Sequence, residues 1–241
     1  LICDDAFTGG AGLDSGFIHD ASADLSPLFY DDLNCWFDFD DDAAIEITAG
    51  EVSQATDKSP ARNDARQNDG AKRLPEPAII SGKYNGRKVT SPADRTYEGS
   101  LEMLASMTIG DLYIVASFKD GTDGLFDNYE TLVSGPGTNG TPRIMGLQGL
   151  DSIAGNAVYY FSDGISVNGA AADVAILPLP FSILRMTPDS PLSDTYTFFR
   201  HAISGARGWP GDIAELLAFE TARDAGEDTA IRAYLSDKWG I

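Results

Sequence analysis

The segment "DFDDD" sets Asp38, Asp40 and Asp42 at alternate positions. Hard carboxylate oxygens at this spacing hold Ca²⁺ when the backbone turns around the ion. On an ordinary extended strand the same three groups share one solvent face instead. An EF-hand is excluded, because Ala43 stands where that loop needs glycine and Ala49 where it needs its distal glutamate. No Lys or Arg precedes Lys58, so the local sequence offers nothing to relieve carboxylate repulsion. A second acidic group, "DGTDGLFDN", gathers Asp120, Asp123, Asp127 and Asn128 in a glycine-containing loop just before Tyr129. Loops between strands are where cation and sugar sites are built, although Asp and Gly are equally the ordinary residues of turns. Tyr84, Tyr97, Tyr129 and Trp209 stand in turn-rich contexts and are candidates for stacking on sugar rings, with core packing as the alternative. The candidate glycan-binding set is therefore Asp120, Asp123, Asp127, Asn128, Tyr129 and Trp209, and the candidate Ca²⁺ set is Asp38, Asp40 and Asp42.

Catalytic patterns are weak. A retaining sugar hydrolase needs two carboxyl groups about 5 Å apart on one strand face. No Glu-x-Asp-x-Glu alternation occurs, and Glu215 and Glu220, five residues apart, fall on opposite faces of an extended strand. His19 and His201 lie in no catalytic motif, and no Gly-x-Ser-x-Gly, His-Glu-x-x-His or Cys-x-x-Cys occurs. The chain is expected not to be an enzyme.

These groups must be positioned by short β-compatible runs. From about residue 30 the sequence reads "NCWFDF", "AIEIT", "DLYIVASF", "TLVSG", "PRIMGLQ", "NAVYYFS", "GISVNG", "FSILRM", "TYTFFRHAIS" and "DIAELLAF", separated by Gly, Pro, Asn and Asp. Many short strands with turn signals between them predict an antiparallel β-sandwich. Asn168-Gly169 predicts a tight hairpin, since both residues accept positive φ. The polar stretch 57–77, with Lys58, Arg62, Arg66, Lys72 and Arg73, reads as a long surface loop. Residues 1–29 sustain neither helical nor strand periodicity and read as an extended arm, with Phe7, Leu13, Phe17, Ile18 and Leu25 as docking anchors. The end of the chain differs. Ile231, Tyr234, Leu235 and Trp239 share one helical face, Asp224 or Asp228 can cap the start, and Gly240 can end the helix. This helix is expected to close one edge or end of the sandwich.

Composition narrows the partners. The 241 residues carry 17 Lys and Arg against 37 Asp and Glu, a net charge of −20, which repels nucleic acid and acidic lipid. Fourteen of the acids lie in residues 1–57, a block that serves solubility, divalent cations or a basic partner. No apolar run approaches the roughly 20 residues of a membrane-spanning helix. Cys3 and Cys35 form at most one bridge, and each has an alternative as a small buried residue.

The ending "GDIAELLAFE", an acid-rich connection and then "YLSDKWGI" resembles the C-terminus of concanavalin A-like, laminin-G-like jelly-roll domains of bacterial surface proteins and tailed-phage virion proteins. "LNCWFDFDDDAAIEITAGEVSQATDKSPARNDARQ" resembles the opening strand of that family and its "DKS" loop, and "IISGKYNGRKVTSPADRTY" resembles its segment with an Asn-Gly turn. Thr56 replaces an aromatic common before "DKS", and Pro60 replaces a Gly common after it. The resemblance covers residues 30–241 and implies an all-β concanavalin A-like jelly roll with a C-terminal amphipathic helix, preceded by the arm 1–29. It also implies a non-enzymatic virion display protein of a tailed phage or phage-like particle, placed on the virion surface. The arm would join it to other virion proteins, with cell-surface glycan as a further ligand. Homo-oligomer formation suits a displayed spike, though no coiled-coil heptads support it. The alternative is a bacterial surface or secreted Ca²⁺-dependent carbohydrate-binding module, with a sugar hydrolase third.

Overall fold

A computed structural model of the chain describes residue 27 and residues 30–93, 99–135, 143–152, 165–172, 175–202 and 207–241. Over the described residues the fold is mostly antiparallel β-structure with one helix, at the C-terminal end. The first sheet has six strands in the order Leu33–Asp38, Ile213–Phe219, Asp111–Ala116, Ser182–Met186, Ile165–Val167 and Ala170–Ala171. The second runs Arg143–Met145, Thr131–Ser134, Thr197–Phe198, Leu101–Met103, Ala65–Arg66, Glu51–Ala55 and Ile45–Thr48, and Leu74–Pro75 also pairs with Glu51–Ala55. Two-stranded ribbons pair Met107–Ile109 with Leu192–Asp194 and Ala78–Ile79 with Lys88–Val89.

The first sheet is covered on both faces, which is why three of its strands read as nearly unbroken apolar runs. On one face Cys35, Phe37, Leu112, Ile114, Leu184 and Leu216 join the main core with Val52, Leu101, Val133 and Phe198 of the second sheet. On the other, Leu33, Trp36, Tyr113, Val115, Ile183, Leu217 and Phe219 pack with Ile231, Leu235 and Trp239 of the helix Ala225–Trp239. At about 1.5–3 kcal/mol for each large side chain taken from water, this second cluster holds the helix as a layer of its own.

The helix begins and ends as its sequence demands. Asp224 caps it, accepting from Gly226 N and Glu227 N, while the Glu227 side chain accepts from Asp224 N in a reciprocal capping box. Gly240, at φ 71°, closes the last turn in the left-handed region. Asp228 is not the cap; it is buried and accepts from Tyr113 OH (3.0 Å) and Arg232. The helix covers the outer face of the first sheet and not an edge or end of the sandwich.

The Asn168-Gly169 hairpin forms as expected, joining Ile165–Val167 to Ala170–Ala171 with φ 49° and 82° at the two turn residues. The stretch 57–77 departs from expectation. It contributes two short strands, Ala65–Arg66 and Leu74–Pro75, to the second sheet. Its first residue is buried: Asp57 Oδ1 accepts from Trp36 N (2.7 Å) and Ser59 N (2.8 Å), and Oδ2 accepts from Ser59 Oγ (2.7 Å) and Asn63 N (2.6 Å). Lys58 N donates to Trp36 O (3.0 Å). The free edge of Leu33–Asp38 is thus occupied by a side chain and a loop, which removes a template for strand addition.

Cys35 is a free, buried thiol whose pKa burial pushes well up. No helix among the described residues is long and apolar enough to cross a membrane. The arm anchors Phe7, Leu13, Phe17, Ile18 and Leu25, together with Cys3, His19, Tyr97 and "NAVYYFS", lie outside the described residues.

Candidate functional site

The acidic segment after Leu33–Asp38 meets cations that are distant in sequence. Asp38 Oδ2 lies 2.8 Å from both Lys58 Nζ and Lys238 Nζ. Asp40 accepts from Arg87 Nη1 (2.7 Å) and Lys88 N (2.9 Å), Asp41 pairs with Lys58 (2.8 Å), and Asp42 accepts from Lys88 Nζ (2.6 Å). The expectation that no cation relieves Asp38, Asp40 and Asp42 is therefore corrected: four basic side chains from three other segments do so. The hydrogen bond from Lys58 holds the Asp41 carboxyl below the usual carboxylate range. Among the described residues no group of three or more His, Cys, Asp or Glu side chains is arranged to hold a metal ion.

The loop after Asp111–Ala116 is tied down in a similar way. Lys119 Nζ bridges Asp123 (3.1 Å) and Asp127 (2.8 Å), and Asp120 turns back to accept from Thr122 N and Oγ1. Asn128 N donates to the buried Glu130 at 3.0 Å. Tyr129 is half-buried, with the Arg207 guanidinium 4.9 Å from its ring centroid. Trp209 does not belong with a sugar site. It is 1% exposed, packs edge-on against Phe118 and donates Nε1–H to Ser117 O at 2.9 Å, so no indole face is offered to a ligand. Tyr84 likewise packs on Phe181, with centroids 3.9 Å apart, and donates to Asp212. His201 is buried.

The helix-facing side of the first sheet carries a polar constellation built from residues distant in sequence. Asp38 and Glu215 are direct register partners on neighbouring strands. Glu215 is fully buried; Oε1 accepts from Trp36 Nε1 (2.7 Å) and Tyr234 OH (2.9 Å), and Oε2 from Trp239 Nε1 (2.6 Å) and Lys238 Nζ (2.9 Å). Four donors fill the acceptor sites of one ionised carboxylate. Three of them come from "YLSDKWGI", so the terminal segment is held to "GDIAELLAFE" by one side chain. Glu220, just beyond the strand, is exposed. At the other end of the helix, Asp111 takes Arg185 in a forked pair (Nε 3.0 Å and Nη2 2.6 Å to Oδ2), with Thr187 Oγ1 and Arg223 N as further donors.

A different arrangement faces solvent. Across the outer face of the second sheet, register partners place Glu46, Gln54, Arg66 and Glu102 in one row over four strands, and the next partner, Thr197, is buried. Glu46, Arg66 and Glu102 are exposed. From Glu46 to Glu102 the row crosses three strand spacings, roughly 14 Å. Gln67 Nε2 donates to Glu102 at 3.1 Å and to Ser100 Oγ at 2.8 Å, which fixes the carboxylate, and Gln54 reaches towards Asp64 at 3.5 Å. The guanidinium beside them carries donors in a rigid fork, with carboxylate and amide acceptors on either side. A polyhydroxylated ligand laid across the strands would meet donors and acceptors in alternation. Sequence reasoning missed Arg66 and Glu102 because each sits in a stretch of ordinary polarity, and only the pairing register brings them together.

No protein-family model, curated protein or solved structure matches the chain.

Proposed function

We propose that the chain is a non-enzymatic display and binding domain of a tailed-phage or phage-like particle, which presents the outer face of its second sheet to a surface glycan. The particle assignment rests on the resemblance of residues 30–241 to concanavalin A-like jelly-roll domains. One observation supports the reading: the segments that carry the resemblance also supply contacts that hold the fold. Asp57, Lys58 and Ser59 of "DKS" guard the edge strand, and Glu215 of "GDIAELLAFE" gathers Tyr234, Lys238 and Trp239 of "YLSDKWGI". The carboxylates of Asp57, Asp111 and Glu215 are fully buried and face the protein's own donors, so none of the three is presented to an external substrate, which supports a binding role over a hydrolytic one. The open row of Glu46, Gln54, Arg66 and Glu102 supports recognition of an extended polar ligand.

Within this reading the arm 1–29 is the attachment to neighbouring virion proteins. Deleting it should leave a folded domain that no longer enters particles; normal incorporation of the shortened chain would defeat the attachment role. A glycan array run with the intact chain, in Ca²⁺ and again in chelator, tests the ligand class. Binding that survives chelation is expected of the outer face, whose row needs no metal. Binding abolished by chelation would favour the bacterial Ca²⁺-dependent module and return attention to Asp38 to Asp42 and Asp120 to Asn128.

A further inference from the structure

The helix-facing side of the first sheet encloses a lysine between two carboxylates. Lys238, immediately before Trp239, sets Nζ 2.8 Å from Asp38 Oδ2 and 2.9 Å from Glu215 Oε2. The three side chains are 10%, 7% and 0% exposed. Trp36 and Trp239 bring their indole N–H groups to Glu215 alongside the Tyr234 hydroxyl, so this lysine meets its carboxylates among aromatic rings with little access to water. We propose that Lys238 and Asp38 condense to an intramolecular isopeptide, with Glu215 as the group that carries the proton.

The chemistry balances without any co-reactant. A proton of the Lys238 ammonium crosses the 2.8 Å contact to Asp38 Oδ2, leaving a neutral amine beside a carboxylic acid. The amine lone pair attacks the Asp38 carboxyl carbon and the C–N bond forms. Glu215 Oε2 removes a second proton from the nitrogen, then returns it to the hydroxyl at Oδ2, which leaves as water as the C–O bond breaks. One hydrogen stays on the amide nitrogen, two depart with the water, and nothing is oxidised or reduced. The oxygen that bears charge in the tetrahedral intermediate, Oδ1, accepts from Asp40 N (3.2 Å), and the Lys58 ammonium adds positive field beside Oδ2.

Burial drives the step in the same direction. An enclosed ion pair carries a desolvation penalty on both partners, and the amide abolishes both charges while its water escapes to bulk. Glu215 suits the shuttle: burial above all, and then Asp38, push its carboxyl up against the pull of Lys238 and Trp239. Lys58 also touches Asp38, but its side chain is 25% exposed and its second partner, Asp41, is 33% exposed, so solvent reaches that pair and the desolvation that favours the Lys238 amide is weaker there.

Intact-mass measurement of the denatured full chain reads the bond directly. The wild-type chain should be lighter than its sequence by one water, and a peptide map should contain the Asp38 and Lys238 peptides joined. Lys238→Arg keeps the cation and cannot form the amide, and Glu215→Gln keeps acceptor and volume but not the shuttle; both should show the full mass. Circular dichroism establishes that each variant is folded, and if either is not, the wild-type mass and map decide alone. Full mass in the wild type after prolonged incubation at neutral pH would overturn the proposal, as would a link through Lys58. A link formed in Glu215→Gln at the wild-type rate would remove Glu215 from the chemistry.

Discussion

Replacing Asp57 with alanine tests how the exposed edge of the first sheet is held. The carboxylate accepts three backbone N–H groups, from Trp36, Ser59 and Asn63, and the Ser59 hydroxyl. Alanine leaves those backbone donors without their acceptor in a region where Trp36 and Ser59 are buried. At about 1–3 kcal/mol for each buried donor left unsatisfied, with the half-exposed Asn63 at the low end, the loss is about 3–7 kcal/mol. A natural domain has only about 5–15 kcal/mol in total, and each kcal/mol moves the melting temperature of a chain this size by about 2–4 °C. The expected fall is about 6–28 °C, with a lower urea midpoint by far-ultraviolet circular dichroism and faster hydrogen exchange at the Trp36 amide. Asp57→Asn keeps one accepting oxygen and should fall between. Arg62→Ala, at an exposed position of the same loop, is the control and should move stability by no more than about 0.5 kcal/mol. An Asp57→Ala midpoint indistinguishable from the Arg62→Ala midpoint would refute the view that this side chain guards the edge.

Two further outcomes follow from the buried contacts. Trp239→Ala should cost about 3–5 kcal/mol from cavity formation, since the ring is fully buried, whereas Trp239→Phe should cost mainly the charge-assisted hydrogen bond to Glu215, about 1.5–3 kcal/mol; urea titrations of both variants that overlay the wild type would contradict the packing described. Asp41 has its carboxyl held down by Lys58, so its contribution is present above the unfolded-state pKa and disappears as pH falls through the lower folded-state value. The stability gap between wild type and Asp41→Asn should therefore close on acidification through that window, and an offset constant with pH would argue against it.

What could be read from the sequence was local. The strand runs within the described residues, the Asn168-Gly169 hairpin and the helical face of Ile231, Leu235 and Trp239 follow from periodicity and turn chemistry, and the structure places them accordingly. Non-local facts were hidden. Ala65–Arg66 and Leu74–Pro75 are too short and too polar in context to announce themselves as strands, yet sheet pairing recruits them. Asp38 gave no sign in the sequence that Lys58 and Lys238 would reach it, because those partners stand 20 and 200 residues away. Trp209 looked available for a ligand because turn residues surround it, but its chain returns to the core. Among the described residues Glu215 pairs with no second glutamate for sugar hydrolysis; it gathers Trp36 and donors from the terminal helix, contacts that its place on a strand does not announce. The row containing Arg66 and Glu102 depends on register across several strands, which no single stretch of sequence encodes.

The most direct test of the proposed role compares the wild-type chain with the double variant Arg66→Ala/Glu102→Gln on a glycan array, at matched melting temperature. Selective glycan binding by the wild type, lost in the variant, is the predicted result, since both side chains are exposed members of the outer row. Absence of binding by the wild type, or binding that the double variant retains, would contradict glycan recognition by this face.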